Sequence, residues 1–242
     1  MHRRSLAFPL IATLTLGLSV FARADGLTLN DWTTQTLVAY QAGAGTAKVF
    51  VATADEQRNT ASFENDATVE AIIGHSNAVA SVIQVDPKNP AKTAKGEIRV
   101  GLTTLDTGID MRNNHMRNKF LEVDKYPTAI FVLSSLTKAP ATLEPNKPAN
   151  VTVKGTLSIH GVSNEVIAPA TVTYIPGTKD TAIRLPGDLL HVKTTFPIKL
   201  SDYQIVVPEM LVMKLSDDQS VGVDVFLSTE LPKPKEPAPA KP

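Results

Sequence analysis

Apolar and polar residues alternate along most of residues 47–230. Because successive side chains of a β-strand point to opposite faces, a period of two predicts strands with one buried face. The alternation is clearest in Gly96–Leu102, Val151–Ile159, Val192–Leu200 and Val221–Leu227. Shorter or less regular candidates are Val69–Ile73, Val79–Val85, Ile130–Leu133, Val166–Tyr174 and Met210–Leu215. The pattern therefore predicts about nine strands, separated by segments rich in Pro, Gly, Asn and Asp.

Clean alternation favours antiparallel pairing, because the strands of a parallel sheet are covered on both faces and are continuously apolar. An antiparallel set of this size closes into a barrel or packs as a sandwich, and periodicity alone leaves both architectures open. The sequence thus predicts an all-β protein in which each strand contributes one face to a shared core.

One helix is predicted among the strands, over about Met111–Val123. Met116, Phe120 and Val123 are spaced i, i+4 and i+7, which places them on one face of a helix. Asp110 is the candidate N-cap. A single helix within an antiparallel set suggests that one end or side of the sheet structure is covered.

The start of the chain is typical of an export signal. It carries Arg3 and Arg4, an apolar run over Leu10–Val20, and the motif Ala22-Arg23-Ala24 with small residues where a signal peptidase reads. These features predict that residues 1–24 are removed as a signal peptide. The apolar run is shorter than the roughly 20 residues of a membrane-spanning helix. We therefore expect an exported, soluble protein without stable membrane insertion.

Two further segments lie outside the alternating pattern. Residues 25–46 form a lead-in in which Thr36–Tyr40 is a candidate strand, interrupted by Gly43-Ala44-Gly45. Residues 231–242 contain five prolines and little that could pack. Proline donates no backbone hydrogen bond to a sheet, so we expect a disordered Pro/Lys-rich tail there. The folded domain is predicted to span residues 47–230.

Charge and composition argue against several partners. The whole chain has 24 Lys and Arg against 24 Asp and Glu, and loss of the three arginines in residues 1–24 leaves 21 − 24 = −3. A slightly acidic surface without a basic cluster disfavours nucleic acid and strong attraction to anionic membranes. The absence of cysteine excludes disulfides, thiol catalysis and zinc–sulfur sites.

Candidate catalytic and metal-binding residues are sparse. His75, His115, His160 and His191 are 31 to 45 residues apart, so no pair has the spacing of metal ligands. Ser158 precedes His160 on the same face of a predicted strand, but no third group and no G-x-S-x-G motif marks it as a nucleophile. We expect the His160 ring to hydrogen-bond backbone in a turn. The sequence predicts no metal, no catalytic residue and no enzymatic activity.

Several short motifs occur in order between about Ser62 and Thr229. The motifs are Leu105-Asp106-Thr107-Gly108 followed by Arg112, His115 and Met116; Phe120 with Tyr126-Pro127 and Phe131; the segment Gly155–Val162 (GTLSIHGV); and Lys199–Tyr203 (KLSDY). Together they resemble the YceI-like family of exported bacterial β-barrels, which enclose a long isoprenoid or fatty chain.

The chain departs from the family pattern at three places. Asn113 stands where an acidic residue is usual, and Asn114 is an additional residue before the histidine. Gln204 stands where the family's late motif has glycine. The opening tryptophan–aspartate strand of the family has no good counterpart.

The resemblance implies an elongated, lipocalin-like antiparallel β-barrel of about eight strands, with one short helix between the middle strands. Eight strands either fill their interior or hold one small ligand, and the resemblance favours a cavity that holds a lipid. The residues expected to line it are Ile98, Val100, Leu102, Phe120, Phe131, Val192, Phe196, Ile198, Val223 and Val225. Arg112 and Arg117 are the candidate contacts for a head group.

The leading hypothesis is therefore a periplasmic protein that carries, stores or sequesters an isoprenoid-type lipid such as a quinone or prenyl phosphate, with no cofactor besides that lipid. Alternatives are a ligand-free interaction or stress-response module, and a hydrolase, which would require polar side chains converging inside the barrel. A homodimer is compatible with the sequence.

Overall fold

The computed structural model of this chain describes residues 28–211 and 213–231. The predicted signal peptide and residues 232–242 of the predicted tail lie outside the described residues. The strands are β1 (Lys48–Ala52), β2 (Thr60–Asp66), β3 (Ala71–Ser76), β4 (Val79–Val85), β5 (Lys95–Gly101), β6 (Thr128–Lys138), β7 (Pro148–Ile159), β8 (Val162–Ile175), β9 (Leu189–Lys199) and β10 (Asp218–Ser228). The helices are α1 (Leu29–Ala42), α2 (Pro90–Thr93), α3 (Asp110–His115) and α4 (Lys179–Ala182).

The strands form one closed antiparallel barrel. Their order is β1-β4-β5-β6-β7-β8-β9-β10, and a pairing between Val51 of β1 and Ser228 of β10 closes the ring. The hairpin β2–β3 continues the sheet beyond β10, because Thr60–Glu64 pairs with the first half of that strand. β1 and β2 thus share one edge of β10, and the ring has eight strands. The predicted all-β, lipocalin-like barrel is confirmed.

The four clearest predicted strands correspond to β5, β7, β9 and β10. The candidate strand Met210–Leu215 is wrong, since this segment is irregular and begins with a 3₁₀ turn over Glu209–Leu211. β1 escaped recognition because KVFVA is apolar on both faces and shows no alternation. β2 escaped recognition because its residues are largely polar.

The lead-in before the barrel contains α1, so the candidate strand Thr36–Tyr40 is wrong. The helix begins at a capping box, in which the side chains of Thr28 and Asp31 each accept a hydrogen bond from the other's backbone N–H. Trp32 and Leu37 of α1 pack against Val51 and Val82 on the outside of the barrel. β4 is therefore buried on both faces along its whole length.

The predicted helix between the middle strands is present between β5 and β6. It consists of α3 followed by a π-helical turn over Met116–Phe120. Asp110 is the first helical residue and not the cap, because Ile109 occupies the N-cap position without a side-chain hydrogen bond. The insertion covers one end of the barrel. Within residues 28–211 and 213–231, no helix combines the length and apolar character needed to cross a bilayer.

Candidate functional site

The barrel encloses a cavity of about 640 Å³, within the roughly 300–1,000 Å³ of ordinary small-molecule sites. Its mouth lies between α3 and the loop of residues 205–215, where wall residues such as Met111 are exposed. Its far end is closed by Pro90 of α2 and by Leu143, both buried. The cavity therefore runs along the barrel from an open end to a closed end.

The inward-facing residues of successive strands build the wall. Ile98 of β5 lies opposite Phe131 of β6, which lies opposite Leu157 of β7. Phe196 of β9 lies opposite Val221 of β10 in the same way. Because each register pairs one apolar residue with another across neighbouring strands, the alternation in the sequence becomes a continuous apolar lining.

A glycine of β7 makes room for Phe131, one of the aromatic rings of the wall. A Cβ atom on Gly155 of β7 would lie 2.5 Å from the Phe131 ring and 2.4 Å from the Val132 carbonyl oxygen. The Phe131 ring thus lies close against the backbone of the neighbouring strand at Gly155. Without Cβ at this position, one of the largest side chains of the interior is accommodated in the wall.

The structure places nine of the ten predicted lining residues on the cavity wall. They are Ile98, Val100, Leu102, Phe120, Phe131, Val192, Phe196, Ile198 and Val223. Their contact with a lipid stays a prediction. Val225 does not line the cavity.

Val225 instead belongs to a packed side of the same interior. Phe50, Val79, Val225 and Leu227 have no exposed surface and pack together. They also face inward, since their cross-strand partners, such as Val192 opposite Val225, lie on the cavity wall. The sequence therefore predicted correctly that Val225 faces inward, but not that its part of the interior is filled by other side chains.

The two predicted head-group contacts are both held by protein groups. Arg112 lies on the wall at the mouth, but its Nη1 donates to Glu70 at 2.8 Å, and its Nε and Nη2 donate to the Thr107 hydroxyl and carbonyl oxygens at 2.9 and 3.1 Å. Arg117 is not on the wall, and its Nε donates to the carbonyl oxygen of Leu105 at 2.9 Å. Both arginines thus order the helical insertion against the barrel.

The mouth contains polar groups that the sequence did not assign to the cavity. Glu70, His115, Lys214 and Gln219 lie on the wall there. Lys214 forms no ion pair with the residues that the structure describes. No motif marked Lys214, because it belongs to an irregular loop whose position depends on the rest of the fold.

A hydrogen-bonded turn supports the mouth. Asn113, which is 5% exposed, accepts hydrogen bonds from the backbone N–H and hydroxyl of Thr107 at 2.8 and 2.7 Å, and donates to Asp106 at 2.6 Å. Hydrogen bonds from the Gly108 amide and from Asn113 lower the pKa of Asp106. An aspartate at position 113 could not donate to Asp106, so the amide suits this turn.

A second corner of the mouth is built around the β7–β8 turn. His160 Nδ1 donates to the carbonyl oxygen of Tyr203 at 3.2 Å, which confirms the predicted backbone hydrogen bond. The His160 ring also packs edge-on against Tyr126, at 4.8 Å between centroids. Burial, with a smaller contribution from Asp202, raises the pKa of Tyr203. The phenol therefore stays neutral where it lines the cavity.

The wall offers little for chemistry. Thr194 is the polar residue midway along β9, and its hydroxyl donates to the Pro169 carbonyl oxygen at 2.6 Å. The pair His191–Asp224, joined at 2.7 Å, is not on the wall, and His191 stacks on Phe226. Among residues 28–211 and 213–231, no three His, Asp or Glu side chains are grouped so as to hold a metal ion. The arrangement is suited to enclosing an apolar molecule.

Similar barrels are known among solved structures. Burkholderia cenocepacia BcnA is 20% identical over 70% of this chain and 96% of its own, with a TM-score of 0.55. A polyisoprenoid binding domain from Saccharophagus degradans, implicated in plant cell wall breakdown, is 18% identical over 75% of this chain and 98% of its own, with a TM-score of 0.56. The Campylobacter jejuni YceI protein is 23% identical over 63% of this chain and 82% of its own, with a TM-score of 0.51. At these identities the similarity shows the fold alone.

No curated protein matches the chain in sequence. A family model, that of the YceI-like domain, matches residues 53–231. The matched region includes the wall residues and the helical insertion, and it covers most of the chain. The chain therefore belongs to the YceI-like family.

Proposed function

We propose that this protein is exported to the periplasm and binds the chain of an isoprenoid-type lipid, such as a quinone or prenyl phosphate, inside its barrel. The lipid would be carried, stored or sequestered without being chemically altered. The observation that carries the proposal is the cavity of about 640 Å³, whose wall is predominantly apolar.

The shape and the chemistry of the cavity both support a long aliphatic ligand. One end is open and the other is closed by Pro90 and Leu143, so a chain would enter with its tail first and leave its head at the mouth. Each methylene removed from water contributes roughly 0.8 kcal/mol. Affinity would therefore grow with chain length, and the few polar groups at the mouth would not have to supply it.

The similarity to the Saccharophagus degradans polyisoprenoid binding domain supports the same ligand class. A ligand-free interaction module would be expected to fill its barrel, and the cavity weighs against that alternative. A hydrolase would need activated polar groups inside the cavity, and Thr194, midway along the wall, is engaged with the backbone of the neighbouring strand.

The direct test is native mass spectrometry of the protein purified from the periplasm, together with extraction and identification of any bound lipid. We expect a lipid of isoprenoid type in a one-to-one complex. Repeated recovery of ligand-free protein that takes up no added isoprenoid would contradict the proposal.

A substitution at Phe196 sharpens this test. Phe196 lies midway along β9 on the cavity wall, and it is only partly buried. We expect Phe196→Trp to fold normally, because the larger ring extends into empty space, and to be purified with shorter lipid or none. Thr195→Trp is the matched control, since Thr195 is exposed and faces the opposite side of the strand. A Phe196→Trp protein with the wild-type lipid profile would show that the chain does not pass this residue.

A further inference from the structure

The mouth of the cavity is surrounded by exposed apolar side chains, here called the rim. The rim consists of Val69, Ile109, Met111, Val206, Met210 and Met213. Their exposed fractions run from 50% for Met213 to 88% for Met210. Side chains this apolar are usually withdrawn from water, and a contiguous exposed group of them commonly marks an interaction site.

Three segments bring these residues together. The β2–β3 turn is joined to α3 by the Glu70–Arg112 ion pair at 2.8 Å. The same turn is joined to the loop of residues 205–215 by a hydrogen bond from Val69 N to Met213 O at 3.0 Å. These contacts hold together the three parts of the chain that carry the rim.

The rim is also continuous with the cavity. Ile109 and Met111 belong to both the rim and the wall. Leu211 lies on the wall directly after Met210, and Ile205 lies on it directly before Val206. An apolar path therefore leads from the outer surface of the protein into the barrel.

The concentration of apolar residues here is unusual for this molecule. Six of the twelve large apolar side chains that are exposed in residues 28–211 and 213–231 belong to the rim. The other six are dispersed over other segments, and are Val38, Ile73, Val132, Ile167, Ile183 and Leu231. In addition, every methionine of the chain except Met1 is on the rim or the wall. The flexible thioether side chain of methionine adapts to irregular apolar surroundings.

Charge at the mouth argues for an apolar rather than an anionic partner. Asp110 and Glu209 are acidic residues within the segments of the rim, and the basic Arg112 is neutralised by Glu70. His115 and Lys214 do not add up to a basic cluster of the kind that attracts anionic lipid. The rim thus offers apolar contact without a strong electrostatic preference.

We propose that the rim docks reversibly on the surface of a lipid bilayer, so that a lipid chain passes between the bilayer and the barrel without crossing water. This inference rests on the proposed function, because it concerns how that ligand enters the cavity. Transfer of a free lipid chain from the bilayer into water would cost roughly 0.8 kcal/mol for each methylene. Contact between the rim and the acyl region removes that cost, and exposed apolar side chains that enter the interface provide the attachment.

The docking step is tested first without any ligand. The wild-type protein is sedimented with phosphatidylcholine vesicles and compared with the double variant Val206→Ser/Met210→Ser, which changes two exposed rim residues that do not line the cavity. The matched control is Ile167→Ser/Ile183→Ser, which removes two exposed apolar side chains elsewhere. We expect the rim variant to lose at least tenfold in vesicle binding and the control to match the wild type. Added phosphatidylglycerol or 0.5 M salt should change binding by less than about twofold, since no basic cluster is involved.

The transfer step is tested with a dansyl-labelled geranylgeraniol, supplied either in detergent micelles or in phosphatidylcholine vesicles. We expect the rim variant to take up the probe normally from detergent but at least tenfold more slowly from vesicles. Failure of the wild type to take up the probe from either source would count against the proposed function. Wild-type protein that binds the probe but does not bind vesicles would overturn the docking proposal alone.

Two further results would also overturn docking. One is equal vesicle uptake by the wild type and the rim variant, because transfer would then proceed through water. The other is a wild-type dimer that the rim substitutions convert to a monomer in light scattering, because the rim would then be an interface between two copies of the chain.

Discussion

The two sides of the barrel interior follow the same alternation of residues but differ in how they are filled. On the packed side, Phe50, Val225 and Leu227 have no exposed surface. On the hollow side, Phe131 and Phe196 are only partly buried, because they border the cavity. The comparison shows that alternation decides whether a side chain faces inward, whereas the three-dimensional arrangement of neighbouring strands decides what it meets there.

The direction of the aromatic rings accounts for part of this difference. Phe50 packs edge-on against Tyr174, with 6.4 Å between the ring centroids, and contributes to a solid core. Phe131 instead lies against Gly155 of the adjacent strand. One ring occupies the interior and the other lines it, although both residues are phenylalanines at inward positions of strands.

The largest expected effect is the difference between Phe50→Ala and Phe196→Ala. Removing a ring from a filled core leaves a cavity, so Phe50→Ala should lower the free energy of unfolding by about 3–5 kcal/mol. Phe196 already borders empty space, so Phe196→Ala should cost about 1–2 kcal/mol, mainly for the apolar area it had buried. Urea unfolding of the ligand-free proteins measures both values.

A second pair, Leu227→Ala on the packed side and Ile198→Ala on the hollow side, controls for features peculiar to phenylalanine. If the two substitutions of each pair lowered the free energy of unfolding by similar amounts, the interior would be uniformly filled in solution. The contrast between the two sides would then be lost.

The sequence was sufficient for the parts of the fold that repeat a local pattern. β5, β7, β9 and β10 alternate in sequence because one face of each strand carries mostly polar or small residues and the other lines the interior. β1 could not be recognised in this way. Its outer face is covered by α1, so both faces of the strand carry apolar residues and the sequence does not alternate.

The cavity was less predictable than the strands. Nine predicted wall residues follow from strand alternation and from one helical face, whereas the exclusion of Val225 depends on how β10 meets β1 at Ser228. Lys214 and the rim lie on irregular segments, where no period links sequence to position. Their convergence on the mouth is a long-range result of barrel closure, and local pattern does not report it.

The closed end can be distinguished from the mouth by its ion pairs. Asp188 receives hydrogen bonds from Lys48, Tyr174 at 2.9 Å and the Gly177 amide at 2.7 Å, and so joins three segments at the closed end. Burial alone would raise the pKa of Asp188, but these hydrogen bonds outweigh burial and lower it below the ordinary value of 3.8. We expect Asp188→Asn to lower the free energy of unfolding by about 2 kcal/mol at pH 7.

The pH dependence of this loss has a definite sign. Because the pKa of Asp188 is lower in the folded state, its stabilisation is fully present above the unfolded value near 3.8 and is lost as the pH falls through the folded value. The difference in stability between the wild type and Asp188→Asn, measured by thermal unfolding, should therefore disappear as the pH falls below 3.8. Asp218→Asn is the control near the mouth, since its pair with Lys199 is exposed and should contribute little to stability. An equal loss at both sites would remove the distinction between the two ends.

The smallest expected effect is a gain in stability at the mouth. Gln204 follows the 3₁₀ turn Ser201–Tyr203 with φ 58° and ψ 26°, the left-handed conformation that glycine adopts without steric cost. The side chain is exposed and forms no hydrogen bond within the described residues, so it does not offset the strain. The glycine usual at this position of the family motif thus has a local physical reason.

We expect Gln204→Gly to raise the free energy of unfolding by about 0.5–1 kcal/mol. Relief of the left-handed conformation contributes about 1–2 kcal/mol, and the greater freedom of glycine in the unfolded chain offsets about 0.4–1 kcal/mol of it. Gln204→Ala is the matched control and should leave stability nearly unchanged, since alanine keeps the Cβ atom that causes the strain. A gain with alanine would assign the effect to the glutamine side chain, whereas no gain with glycine would mean that the turn tolerates this backbone conformation at no cost. In either case the change in stability at Gln204 would be several times smaller than the loss expected on the packed side from Phe50→Ala.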